Sequence, residues 1–311
     1  MKTPDSNSIS ALIREKAHES GFDLCGIAQS DVLNENGAVL AEWCKSGMNA
    51  DMAYLSDNIE KRIDPALLLP GARSVIITGL NYYTERKQGG NGIPVISRYT
   101  YGVDYHPVIL AKLKNIIDSI KSIHPESSCK AYVDSAPLLE KPWAAMAGLG
   151  WQGRHSILIN KKIGSFFFLG AIVTDLELEY DNPSMEDHCG NCRICIEACP
   201  TAAINENRTI DARRCIAYQT IESKRPVSDE ISGKLNGMIF GCDICQEVCP
   251  WNKFSKLHNT PDFEISSELS LLTADEWKNL AKDQFKRLFK RSAIGRKKYD
   301  TFLKNVTIVT K

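Results

Sequence analysis

Eight cysteines between Cys189 and Cys249 carry the clearest chemistry in this sequence. Cys189-x2-Cys192-x2-Cys195-x3-Cys199-Pro200 has the spacing that holds cubane iron–sulfur clusters: three thiolates bind one cubane and the fourth reaches across to another. Cys242-x2-Cys245-x3-Cys249-Pro250 repeats the pattern with Ile239 in place of the leading cysteine, and Cys215 is available as its replacement. Crossed pairing then assigns Cys189, Cys192, Cys195 and Cys249 to one cluster, and Cys199, Cys215, Cys242 and Cys245 to the other. Structural zinc is the rival, but it favours paired cysteines around a long spacer rather than triple cysteines closed by Cys-Pro. Cys25, Cys44 and Cys129 sit in apolar contexts and read as small buried hydrophobes.

Three further features compete with plainer readings. Asp134 ends an expected strand, where ligand crevices gather, but it could equally be a cap or turn residue before Pro137. His106, in Asp104-Tyr105-His106-Pro107, could be a functional imidazole or a helix-start residue. Gly148-Leu149-Gly150-Trp151-Gln152-Gly153 matches a dinucleotide fingerprint in letters only, since it follows a helix and leads into a strand.

The chain of 311 residues has 38 basic and 38 acidic side chains, and this balance hides a polarised distribution. From Phe285 onward there are nine basic residues and one acid, leaving 29 basic against 37 acidic residues elsewhere. Lys286, Arg287, Lys290, Arg291, Arg296, Lys297 and Lys298 are interleaved with Phe285, Phe289, Tyr299 and Phe302. Such a run is either a solvated helix face or, with its charge nearly unopposed and aromatics beside it, a clamp for nucleic-acid phosphates and bases. No apolar stretch is long enough to span a bilayer and no signal peptide is legible, so a soluble cytoplasmic protein is expected. In a reducing cytoplasm, eleven cysteines suit metal ligation or free thiols rather than a disulfide framework.

The elements that must position these groups are legible in outline. Ile9, Leu12, Ile13 and Ala17 predict a first helix closed by Gly21, and Phe22–Ala28 a strand. A helical stretch is broken at Lys61–Pro65, and Ser74–Tyr83 reads as a buried strand. A helix from His106 places Leu110, Leu113, Ile116 and Ile117 on one face. Cys129–Val133 predicts a strand, and a helix follows to about Gly148. Ser156–Asn160 and Ser165–Val173 read as a hairpin around Lys-Lys-Ile-Gly. The expected class is α+β, not a parallel doubly wound sheet. Asp175–Asp187, with six acids and Asn182-Pro183, reads as a linker. The expected units are 1–174, 175–256 with the clusters, and a helical basic segment 257–311.

Taken together, Glu60–Pro65, Ser97–His106, Val133–Pro137, Gly150–Ser156, Gly241–Asn252 and Ser292–Arg296 resemble the epoxyqueuosine reductase family over nearly the whole chain. The resemblance implies an α/β sandwich-like cobalamin-binding domain, a ferredoxin-like domain with two 4Fe–4S clusters, and the last step of queuosine synthesis. There, the epoxide of epoxyqueuosine at the wobble position of a tRNA anticodon loop is reduced to the alkene. It casts Asp134 as proton donor and Asp57, Ser97, Asp134, Leu158, Leu169 and Asp243 as cobalamin contacts, with Asp134's pKa raised by burial against the corrin. No Asp-x-His-x-x-Gly segment occurs, so a histidine-on cobalamin of that type is not expected. Many members continue into C-terminal helical repeats that help hold tRNA. A chain ending at Lys311 is therefore expected either to rely on its basic tail or to grip tRNA more weakly, as a monomer fed by an unidentified low-potential electron donor. The alternatives are a reductive-dehalogenase-like cobalamin reductase of small molecules and a non-catalytic ferredoxin-type electron carrier.

Overall fold

The computed structural model describes residues 6–89, 92–181 and 186–310. Asn182 and Pro183 of the expected linker lie outside the described residues.

A four-stranded antiparallel sheet forms the frame, in the order β1 (Leu24–Gln29), β2 (Ser74–Asn81), β7 (Phe167–Thr174), β4 (Cys129–Tyr132). Successive side chains of a strand point to opposite faces, and the two central strands are buried at nearly every position. Ile76 and Leu80 of β2, with Phe168 and Ile172 of β7, face α1 (Ser6–Glu19) and α4 (Tyr105–Ile123). Val75 and Ile77, with Phe167, Ala171 and Val173, face α5 (Glu140–Met146). The sheet is thus covered on both sides, which is why β2 is buried along its whole length. Two glycines let helices approach this closely. A Cβ on Gly170 would lie 2.7 Å from Ile109 of α4, and one on Gly26 would lie 2.0 Å from the carbonyl of Ala147, just past α5.

The α+β class is as expected, and several local readings are corrected. Leu110 is 42% exposed, and the buried face of α4 is Ile109, Leu113, Ile116 and Ile120. The apolar run allows either stripe, and packing against β7 selects one. Leu158–Ile159 (β6) pairs with Trp151–Gln152 (β5), not with β7, and only an Asn160–Gly164 bridge closes the expected hairpin turn. β7 is engaged on both edges by β2 and β4, so it has no free edge for β6. The acidic stretch is no loose tether over 175–181. Leu178 is buried in the sheet core, and Asp181 accepts hydrogen bonds from the Ile27 amide and Arg14.

α2 (Asn34–Lys45) and α3 (Ile59–Ile63) lie between β1 and β2 in the chain. Beyond the sheet, β3 (Val95–Ile96) pairs in parallel with β8 (Met238–Phe240). The helices Ala274–Lys278, Lys282–Phe289 and Tyr299–Val309 pack Trp277, Phe285, Phe289 and Phe302 against Ile96, Tyr101 and Phe240. The late helices thereby share a core with residues that precede the cysteines.

Candidate active site and metal centres

The eight cysteines gather into two sets. Cys189, Cys192, Cys195 and Cys249 line one cavity of about 410 Å³, with Trp251, His188 and His155 beside them. Trp151 Nε1–H donates to Cys189 Sγ at 3.4 Å and packs edge-on against Trp251. In the second set, the Cys242 thiol feels Cys215 and Cys199, and Cys245 feels Cys242 and Cys215. Burial, then repulsion from its neighbours, pushes Cys195 up to about 11; burial likewise pushes Cys242 up to about 12 and Cys245 well above its usual range. Four thiolates so placed need a shared positive centre, which a cubane supplies. Among the described residues, no three such side chains stand close enough to hold a single ion, and the triple-cysteine spacing closed by Cys-Pro suits a cubane.

The second set abuts a buried polar knot. Asp243, between Cys242 and Cys245, accepts from the Ser97 hydroxyl and from the Arg98 amide at 2.8 Å, with the Arg98 guanidinium 3.6 Å away. Arg98 also pairs with Glu247 at 2.7 Å and lies over the Phe166 ring. Residues before the sheet's later strands are thereby fastened to the cluster loop.

Asp134 follows β4 with φ +53°, a conformation that costs a non-glycine residue energy and is common at functional sites. Its side chain caps no helix; α5 begins after Leu139. The Asp134 amide donates to Glu140 Oε1 at 2.7 Å, and Oδ2 accepts from the Tyr105 hydroxyl at 2.5 Å. Tyr105 is itself held by stacking on Phe168 and His106. His106 Nε2 stands 3.5 Å from the same Oδ2, and Nδ1 is 2.8 Å from Asp104 Oδ1.

The expected elevation of Asp134 by burial is not what its protein surroundings produce. The side chain is 62% exposed, and the nearby His106 imidazole, with the Tyr105 hydroxyl adding to it, holds the carboxyl below its usual range against the opposing effect of desolvation. Its neighbour behaves oppositely, for burial pushes Glu140 up to about 8. Lys141, also desolvated, is lowered and donates to the Ser156 carbonyl at 3.0 Å. Glu140, Lys141 and Tyr105 escaped the sequence reading. A Glu-Lys pair at a helix start looks like solvated charge, and the Asp104-Tyr105-His106 run is the one signal that pointed here.

The expected cofactor contacts fall into separate places. Ser97 and Asp243 touch, with their polar atoms engaged on each other. Leu158 and Leu169 pack in the apolar cluster under α5. Asp57 lies exposed in the turn before α3. Tyr99 joins two of these places, since both Asp134 and Asp243 act on its buried hydroxyl. Apolar Leu158 and Leu169, with the exposed carboxyl of Asp134, are a side-chain set compatible in chemistry with the large, mostly apolar ring of a corrin.

The basic segment departs most from its sequence reading. Phe285, Phe289 and Phe302 are core, and Tyr299 donates to the Leu280 carbonyl, so none is a free stacking platform. The charge is not unopposed either. Arg287 pairs with Glu268, Arg291 lies 3.7 Å from Asp262, and Arg296 lies 3.3 Å from Asp104. Lys297 is bound to the Ile221 carbonyl, and burial lowers its pKa. These partners are distant in sequence, so a count along the tail cannot see them. Lys290, Arg291 and Arg296 line an open groove of about 620 Å³ with Asp104 and Asp262. Lys286 and Lys298 lie outside it.

Comparison with known proteins matches two stretches of this chain to known families. Residues 188–252 match the 4Fe-4S double cluster binding domain, and residues 62–135 match the epoxyqueuosine reductase QueG family. An epoxyqueuosine reductase of Cellulophaga algicola is 46% identical over 98% of this chain and 99% of its own length. A crystal structure of epoxyqueuosine reductase with an epoxyqueuosine-modified tRNA-Tyr stem loop superposes with a TM-score of 0.90 at 28% identity, over 97% of this chain and 80% of that one. A Bacillus subtilis epoxyqueuosine reductase, described with its catalytic aspartate loop swung out of the active site, gives a TM-score of 0.88 at 27% identity over 97% and 81%.

Proposed function

The chain belongs to the epoxyqueuosine reductase family, an oxidoreductase family, and from that premise we propose that it reduces epoxyqueuosine in tRNA to queuosine with Asp134 as the proton donor. The reaction opens the three-membered C–O–C ring, takes two electrons and two protons, and leaves an alkene and water. Two 4Fe–4S clusters deliver electrons singly, from a low-potential donor. Cobalamin, when bound, supplies a metal centre that accepts those electrons beside the substrate. Ser97, Leu158, Leu169 and Asp243 would wall it, with Asp134 at its exposed side and Asp57 at its rim. Asp243 lies between Cys242 and Cys245 and contacts Ser97, so a cluster held by the second cysteine set would be the nearer electron source for that group.

One observation carries the reading: Asp134 stands exposed at a strand end, oriented by Tyr105 and His106, and Asp104 links it to the basic groove. A groove lined by Lys290, Arg291 and Arg296 suits tRNA phosphates and has no use in a reductase of small neutral halides. An exposed acid held in a strained turn is likewise superfluous in a pure electron carrier. Among the described residues, no helix is long and apolar enough to cross a membrane.

The test is anaerobic single turnover. Protein loaded with iron, sulfide and cobalamin is reduced and given an epoxyqueuosine-bearing tRNA stem loop, and the nucleosides are analysed by mass. Stoichiometric queuosine is expected. Binding of the stem loop without any conversion would refute the proposed chemistry.

A further inference from the structure

Deoxygenating an epoxide consumes two protons, and one carboxyl holds one. Asp134 therefore needs a second acid, and the structure offers few. Tyr105 is the nearest, but burial and the adjacent carboxylate push its phenol far up, so it keeps its proton and serves to orient Asp134. Glu140 turns its carboxyl oxygen to the Asp134 backbone amide rather than to the Asp134 carboxylate.

His106 is placed differently. Its two ring nitrogens face two carboxylates: Nδ1 lies 2.8 Å from Asp104 Oδ1, and Nε2 lies 3.5 Å from Asp134 Oδ2. Nε2 is buried and has no closer acceptor, so a shift of a few tenths of an ångström in the Asp134 turn completes that bond. Asp104 is fixed twice. It caps α4 by accepting from the His106 amide, and its second oxygen meets Arg296 at 3.3 Å. The Oδ1 atom of Asp134 has no protein partner among the described residues and is the oxygen free to meet substrate.

We propose that His106 is the proton store of this site. In this role the imidazolium, steadied by Asp104, passes its proton to the Asp134 carboxylate, which delivers it to the departing oxygen. The sequence balances: the His106–Asp134 pair relays two protons in turn, the second drawn from solvent through the same pair, the clusters give two electrons from the low-potential donor, and the products are alkene, water, aspartate and neutral imidazole. Solvent then recharges the pair. His106 is a positioning and proton-supplying residue here, and Asp134 alone touches substrate. The proposal rests on the reaction assigned above.

The charged surroundings of His106 agree. Burial disfavours its cation, but the bonds to Asp134 and Asp104 outweigh burial and the opposing Arg296, lifting it above the ordinary histidine value of ~6.5. Glu140 and Lys141 of α5, and the phenols of Tyr99 and Tyr54, also feel the Asp134 carboxyl, with Tyr105 on the stacked side. The store is full below this raised pKa and empties as pH rises through it.

Two measurements on the cluster- and cobalamin-loaded protein test this. In NMR titration of the imidazole signals, assigned by loss in His106→Gln, His106 should titrate above ~6.5. Asp104→Asn keeps the cap, since Asn caps as well as Asp, and should lower that value by about one unit. In single turnover, the wild-type rate should fall as pH rises through the His106 value. His106→Gln should be slower by roughly 10²-fold and lose that limb, and in Asp104→Asn the limb should move to lower pH. His106 titrating at or below the ordinary value would overturn the proposal. So would a His106→Gln protein that keeps both rate and limb, or a Glu140→Gln protein that loses the limb instead. If the wild type makes no queuosine, the assigned reaction fails, and the titrations of the wild type and Asp104→Asn still decide whether His106 is a store.

Discussion

The two cysteine sets come from one short stretch of chain but inhabit different surroundings. The set of Cys189, Cys192, Cys195 and Cys249 borders a cavity lined by Trp251, His188 and Phe254, whose ring is exposed at the surface. The set of Cys199, Cys215, Cys242 and Cys245 lies inward, where Cys245 is deeply desolvated and Asp243 is tied to Ser97 and Arg98. Ligand spacing makes both clusters, and their surroundings assign them different work. On the proposed function, the outer one would meet the donor and the inner one would feed the reacting centre.

The strongest way to break this contrast is Cys215→Ser. It should remove the inner cluster, abolish turnover, and lower iron and sulfide from about eight to about four of each per chain, with the outer cluster's spectrum kept. Loss of all iron would show that the two sites are one unit. Asp134→Asn sharpens the contrast from the substrate side: turnover should drop roughly 10²–10⁴-fold while both clusters and stem-loop binding persist. Metal analysis and single-turnover rates on the same sample separate the two effects. Smaller again is the groove. Replacing Lys290, Arg291 and Arg296 by Ala should each lower the log–log salt slope of stem-loop binding by about 0.7 to 0.9 if each meets a phosphate. Arg287→Ala should lower it less, because Glu268 already occupies that guanidinium. Equal slopes would return the segment to a mere solvated face. The smallest effect belongs to Thr273→Ala, which removes the capping box it shares with Glu276, distant in sequence from both cysteine sets. A melt should show a loss of about 1 kcal/mol, with iron content and turnover per folded molecule unchanged.

What could be read from sequence followed the range of the physics involved. Cysteine spacing is local, so the two groups into which the eight cysteines fall were legible residue by residue. The helix from Asp104, the buried run of β2 and the strand before Asp134 were legible for the same reason. Features that depend on distant partners were not. Phe285, Phe289 and Phe302 recur at helical spacing beside lysines, and only the packing of Trp277, Ile96 and Phe240 makes them core. Arg296 looks free along the chain, yet its partner, Asp104, is 192 positions earlier. Glu140 gives no sign in sequence that burial will alter its acidity.

The crossed ligation has a consequence for the order of synthesis. Each cluster takes ligands from both ends of the stretch 189–249, so neither ligand set is complete when the first cysteine motif leaves the ribosome. At roughly 5–20 residues per second, several seconds separate Cys189 from Cys249. During that interval three or more thiolates await a partner not yet made, and any cubane loaded then would lack its fourth protein ligand. Cluster insertion therefore belongs after Cys249 has emerged, and the two centres are expected to be filled late and together.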